Sequence, residues 1–200
     1  MHHTIHNTPV LKAVLRGISL LCMKSLGWTA IGPLPILSKY IIVVAPHTSN
    51  WDLFYGIIVA FALKLDACFM AKKELFRWPF GPLMKWLGGV PIDRTSAGHT
   101  VEQVVRRFKE KERFVLAIAP EGTRRKAKYW KSGFYHIAES AHVPVLLGFL
   151  DYAGKRGGAG PLITPTGNID HDMRIIRTFY SHITGKYDDK KSPVAIFHKT

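Results

Sequence analysis

Acidic residues are scarce in this 200-residue chain: 14 Asp and Glu stand against 28 Lys and Arg, for a formal net charge of +14 at pH 7. Such an imbalance favours a polyanionic partner, either nucleic acid or an anionic membrane surface. Cysteine is nearly absent. Cys22 and Cys68 sit in apolar surroundings without metal-like spacing, which reads as buried thiols in a reducing compartment rather than a disulfide framework or a zinc site. Long apolar runs are missing as well. Residues 10–23 are interrupted by Lys12 and Arg16, and residues 53–63 supply about half of the ~20 residues a spanning helix requires. The chain opens without a basic-then-apolar signal ending in a small-residue cleavage site, and the histidines of "MHHTIH" are assigned no role. Internal repeats and low-complexity linkers are absent too.

What is present is globular. Hydrophobic residues make up 47% and charged residues 21%, and the length suits one α/β domain with a real core. Residues 10–28 have the pattern of an amphipathic helix, with Lys12, Arg16 and Ser19 on one side. Leu11, Val14, Leu15, Ile18, Leu21 and Leu26 fill a broad apolar side. Two readings stay open: a helix packed on the core, or an interfacial helix in a bilayer surface with its basic residues at headgroup level. Beyond it, strands are expected at residues 40–45, 67–71, 113–119 and 143–150. Helices are expected at 52–65, from Thr100, at 132–141 and at 170–183, with a turn or loop at 155–160. Strands alternating with helices imply an α/β fold built on a largely parallel sheet.

The stretch "APHTSNWD" closes the first of the expected strands with a histidine and, five positions later, an aspartate. His47 then emerges at the sheet's carboxyl edge, where open α/β sheets place ligands. Asp52 enters the first turn of a helix, whose dipole favours its ionised form. Asp52 can accept from one imidazole nitrogen and leave the other to take a proton from an incoming alcohol. A capping aspartate beside an incidental histidine is the bland alternative.

Three further blocks bear on that choice. They are "KKELFRWPFGPLMKWLGGVPIDR" ending at Arg94, Pro120-Glu121-Gly122-Thr123-Arg124, and Val143-Pro144-Val145. With His47-Thr48-Ser49-Asn50-Trp51-Asp52 ahead of them, the region from about residue 40 to 150 resembles the glycerolipid acyltransferases related to lysophosphatidic acid acyltransferase. The resemblance implies a glycerol-3-phosphate acyltransferase-like α/β fold, a single domain with a largely parallel or mixed sheet flanked by helices. Residues 1–39 would form a membrane-docking helix and linker, and residues 40–200 the acyltransferase domain. His47 resembles the family's general base and Asp52 its orienting partner. Arg94, Glu121, Gly122, Thr123 and Arg124 fall on positions that bind or shape the site for the acceptor's phosphate, a task suited to the guanidinium fork. Glu121 is expected to hold an arginine in place, because an acceptor-only carboxylate repels phosphate. Lys72 matches the lysine before Glu-Leu, a candidate to stabilise the developing oxyanion. Pro46, Ala119 and Arg125 depart from the common pattern, which leaves the dyad intact and puts the exact acceptor in question.

The expected reaction carries a fatty acyl group from acyl-CoA or acyl carrier protein to a lysophospholipid hydroxyl, foremost that of 1-acylglycerol 3-phosphate. The thioester is a co-substrate, and neither metal nor resident cofactor is called for. The apolar and basic segment 75–89 reads equally as an interfacial or acyl-chain contact and as a Pro/Gly-rich core loop. "RRKAKYWK" (residues 124–131) has the charge and aromatics of a nucleic-acid binder. No nucleic-acid fold signature accompanies it, so no nucleic-acid partner is expected. The expected location is peripheral or monotopic, on the cytoplasmic face of a membrane.

Overall fold

The computed structural model describes residues 8–92 and 97–197. A seven-stranded sheet runs through the centre, formed by β1 (Thr29–Ile31), β2 (Lys39–Ala45), β3 (Cys68–Lys72), β4 (Gly89–Ile92), β5 (Phe114–Ile118), β6 (Val145–Asp151) and β7 (Arg156–Ile163). Their order across the sheet is β1-β7-β6-β2-β5-β3-β4. Every neighbouring pair is parallel except β6 and β7, which form an antiparallel hairpin. The sheet is therefore mixed, with a parallel block of β6, β2, β5, β3 and β4. Strands in that block end at one common edge, and the loops leaving that edge carry the motifs.

Strand β2 lies in the middle and is apolar on both faces because both are covered. Ile41, Val43 and Ala45 point to a core shared with helices α4 (Ala97–Glu110), α5 (Gly133–Ala141) and α6 (Ile169–Ser181). Phe108, Phe134, Ile137, Met173 and Ile176 are the principal helix contributions there. Tyr40 and Ile42 alternate to the other face, beside Leu146 and Ala159. On that side, α1 (Pro9–Leu26) and α2 (Trp51–Ala62) bring Met23, Ile58 and Val59 onto Leu150. The Tyr180 hydroxyl lies 2.8 Å and 2.9 Å from the carbonyl oxygens of Val43 and Gly148, pinning α6 to both central strands. A short helix, α3 (Gly81–Trp86), follows a 3-10 turn after β3. Around it Trp78 and Phe80 stand 88% and 66% exposed, unlike a core loop.

The turn or loop expected at residues 155–160 is instead the start of strand β7, facing β6 from Asp151 and Arg156 onward. Its glycines mark close approach rather than a bend. A Cβ on Gly158 would fall 1.9 Å from the Ile31 carbonyl oxygen of β1, and one on Gly160 2.3 Å from the Phe179 ring. A glycine strand is what lets a neighbouring strand and a helix ring approach from both sides. Strand β1 arises from the segment expected to be linker.

Helix α1 is amphipathic as expected, but turned the other way from the interfacial arrangement considered above. Lys12 Nζ bonds Asp66 at 2.6 Å and Arg16 Nε donates to the Ala62 carbonyl at 3.3 Å, both at the carboxyl end of α2. Ser19 and Met23 are buried beneath the same face. The basic side is thus the protein-facing side. Val10, Val14, Ile18 and Leu21, spaced along the opposite face, are each more than half exposed. Gly27, in the left-handed conformation at φ 71°, stops the helix, and its N–H bonds back to the final turn.

Candidate active site

His47 follows β2 by two residues, and α2 starts at Trp51, so the intervening turn folds Asp52 back toward the histidine. Asp52 Oδ2 accepts the backbone N–H groups of Thr48 and Ser49, each at 2.8 Å, and lies 3.1 Å from His47 Nδ1. Asp52 Oδ1 accepts the Tyr152 hydroxyl at 2.7 Å. Burial opposes ionisation of Asp52, yet the bonds from His47, Tyr152 and Ser49 outweigh it and hold the carboxyl below its usual range. An ionised carboxylate only accepts, so in this contact His47 Nδ1 is the donor. One imidazole nitrogen faces the aspartate, the spacing that the sequence led one to expect.

Strand β5 lies beside β2 with its last residue, Ile118, paired to Val43, which brings residues 119–125 next to the histidine. The carboxylate of Glu121 is buried, and its Oε1 accepts the His47 backbone N–H at 3.0 Å. Its other oxygen, Oε2, has no hydrogen-bond partner among the described residues. Glu121 therefore holds the backbone of the histidine, where an arginine had been expected. Burial pushes its carboxyl above the usual range, only partly offset by that N–H. Gly122 takes the left-handed conformation at φ 64°, and a Cβ there would meet Lys131 Cε and Nζ at 3.0 Å. The exposed Arg124 guanidinium donates to Asn50 Oδ1, joining the β5 loop to the start of α2. Arg125 N–H bonds Thr123 Oγ1 at 3.2 Å.

These groups border a cavity of about 470 Å³, whose walls include His47, Met70, Ile118, Gly122, Thr123 and Arg124. The lining combines apolar side chains, Met70 and Ile118, with the Thr123 hydroxyl and the Arg124 guanidinium, a mixture compatible with an amphiphile that has an anionic head. Among the site residues inferred from the sequence, His47, Gly122, Thr123 and Arg124 share this cavity, with Asp52 and Glu121 bonded directly behind His47. Lys72 closes β3 at the same sheet edge. Arg94 lies outside the described residues. The residue that sequence reasoning missed is Tyr152. It follows the strand ending in "LLGFLD", and nothing local in the sequence links it to an aspartate 100 positions earlier.

The alternating α/β frame and the histidine-aspartate pair at its carboxyl edge define a class. Residues 29–146 match the family model described as Acyltransferase, and the chain belongs to that family. It is similar to proteins named 1-acyl-sn-glycerol-3-phosphate acyltransferase from Limnanthes alba and Limnanthes douglasii. Each is 30% identical over 115 residues, which is 54% of this chain and 40% of the relative. The chain thus spans about two fifths of the length of those curated relatives. Its fold is similar to the crystal structure of the 1-acyl-sn-glycerophosphate (LPA) acyltransferase PlsC from Thermotoga maritima. The TM-score is 0.60 at 18% identity, with 83% of this chain and 74% of that one covered.

Proposed function

We propose that the protein moves a fatty acyl group from an acyl thioester, carried by coenzyme A or a carrier protein, to the free hydroxyl of 1-acylglycerol 3-phosphate. The observation that carries this reading is the His47 Nδ1 to Asp52 Oδ2 contact of 3.1 Å at the wall of a cavity lined by both apolar and cationic side chains. His47 Nε2 takes the hydroxyl proton as the acceptor oxygen attacks the thioester carbonyl carbon. Asp52 stabilises the imidazolium that forms. The tetrahedral intermediate collapses, the carbon–sulfur bond breaks, and the departing sulfur receives the proton from His47. Arg124 and Arg94 bind the acceptor phosphate, and Lys72 stabilises the developing oxyanion. No resident cofactor takes part, since the thioester is already activated.

The enzyme meets its lipid at a bilayer surface. Among the described residues, no helix is long and apolar enough to cross a membrane. The exposed stripe of Val10, Val14, Ile18 and Leu21 supports this reading, together with Leu53, Phe54 and Ile57 on the neighbouring α2. With Lys12 and Arg16 turned inward onto Asp66 and the Ala62 carbonyl, it is these apolar side chains that would enter the acyl boundary.

The test is thiol release by purified protein offered acyl-CoA or acylated carrier protein. Acceptors would be 1-acylglycerol 3-phosphate, its unphosphorylated counterpart and lysophosphatidylcholine. Release that depends on the phosphorylated acceptor supports the reading. Equal use of phosphorylated and unphosphorylated acceptors removes the phosphate assignment, and no release with any pair removes the transferase.

A further inference from the structure

Tyr152 stands one residue beyond β6, the strand on the far side of β2 from β5, so the same carboxyl edge that exposes His47 also delivers this tyrosine. Its backbone N–H is fixed to the Thr184 carbonyl at 2.9 Å. Its ring is held from three directions. Trp28, just past the end of α1, meets it edge-on with centroids 5.1 Å apart. Tyr55 of α2 lies 5.5 Å away at 81°. Lys186 Nζ sits 5.7 Å from the ring centroid. A ring clamped in this way has little freedom left to redirect its hydroxyl, and the hydroxyl donates to Asp52 Oδ1 at 2.7 Å.

We propose that Tyr152 is a positioning residue for the His47–Asp52 pair: it holds the second oxygen of the aspartate so that the first stays aimed at His47 Nδ1. The inference rests on the acyl-transfer reading above, in which that pair removes the acceptor's proton. The two carboxylate oxygens are unequally served. Oδ2 takes two backbone N–H groups and the imidazole, whereas Tyr152 is the partner seen for Oδ1 among the described residues. The terminal torsion of an aspartate is soft. With Oδ1 unheld, the carboxylate has more freedom to turn about its Cβ–Cγ bond, and the Oδ2 lone pair facing the imidazole turns with it. A buried carboxylate with one oxygen unpaired is also costlier to keep charged. Tyr152 removes both faults. Burial, followed by the Asp52 hydrogen bond, pushes its own phenol well above the usual range, so it remains a donor at any working pH. Because it reaches the reaction only through Asp52, its hydroxyl does not enter substrate affinity.

The test is a double-mutant cycle on purified full-length protein, read by thiol release. Tyr152→Phe keeps the ring that Trp28 and Tyr55 grip and removes only the hydroxyl, so its thermal unfolding should stay close to wild type. Its kcat should fall between about 10- and 150-fold, the range expected for losing one hydrogen bond to a charged group, with the acceptor KM unchanged. Asp52→Asn alone should fall further. Adding Tyr152→Phe to Asp52→Asn should cost less than about twofold more, because the hydroxyl no longer has a carboxylate to orient. Wild-type kcat in folded Tyr152→Phe overturns the proposal. So does full additivity of the two substitutions, or a loss confined to KM. If His47→Ala and Asp52→Asn both retain turnover, the acyl-transfer dyad itself has failed, an outcome distinct from the failure of Tyr152 alone.

Discussion

Glu121 and His47 stand 74 positions apart in sequence, and the Glu121 carboxylate accepts the His47 backbone N–H at 3.0 Å. The bond ties the loop after β5 to the loop after β2. It places a buried acid directly behind the proposed base, with Oε2 unpartnered among the described residues.

That burial gives Glu121 a measurable pH signature. Its carboxyl is raised above the ordinary glutamate value of about 4.3, so the folded state holds the proton more tightly than the unfolded state. Its contribution to stability is complete below the ordinary value and is lost as pH climbs through the folded one. Glu121→Gln keeps an acceptor for the His47 N–H and does not titrate. The difference in denaturation midpoint between variant and wild type should therefore shift toward the variant from pH 4 to pH 7. A constant difference across that range would show that Glu121 does not titrate abnormally.

The dyad makes a kinetic prediction. His47→Ala should lower turnover by about 10²–10⁴-fold, the usual worth of a general base, with unfolding temperature essentially kept. Asp52→Asn should impair turnover through lost orientation and lost imidazolium stabilisation. Near-normal turnover by folded His47→Ala would falsify the assignment of base.

Gly122 tests the loop geometry. Alanine at φ 64° incurs about 1–2 kcal/mol of backbone strain and places its methyl against Lys131. Thr123 and Arg124 follow directly, so Gly122→Ala should lower the unfolding temperature and raise the KM for a phosphorylated acceptor more than it lowers kcat. Unchanged acceptor KM, with only stability affected, would confine Gly122 to a structural role.

The two faces of α1 should respond oppositely. Ile18→Asp with Leu21→Asp alters exposed side chains, so thermal unfolding should hold while affinity for phospholipid vesicles drops on the order of tenfold or more. Activity on a short, water-dispersed acceptor should survive. Lys12→Ala touches the inward side, and loss of its partly exposed pair with Asp66 should cost under about 1 kcal/mol of stability. Vesicle binding by the double aspartate variant equal to wild type would leave the stripe without a membrane role.

Much of this site is written locally. His47 and Asp52 meet because a strand, a five-residue connection and a first helical turn suffice to bring positions 47 and 52 together, a juxtaposition with a short-range cause. The unbroken apolar run of β2 likewise announced a doubly covered strand before any partner was known. Periodicity also showed that α1 has two faces, and here its reach ended. A pattern of charge and hydrophobicity shows that sides differ, not what each side meets. The position of Asp66 and the Ala62 carbonyl turned Lys12 and Arg16 inward. The glycines of β7 have the composition of a turn, and only the nearness of Ile31 and Phe179 explains them as a strand. Glu121 behind His47 and Tyr152 behind Asp52 depend on β5 and β6 flanking β2. Contacts across 74 and 100 positions are decided when non-local strands pair, because local propensity carries no information about which strand becomes the neighbour.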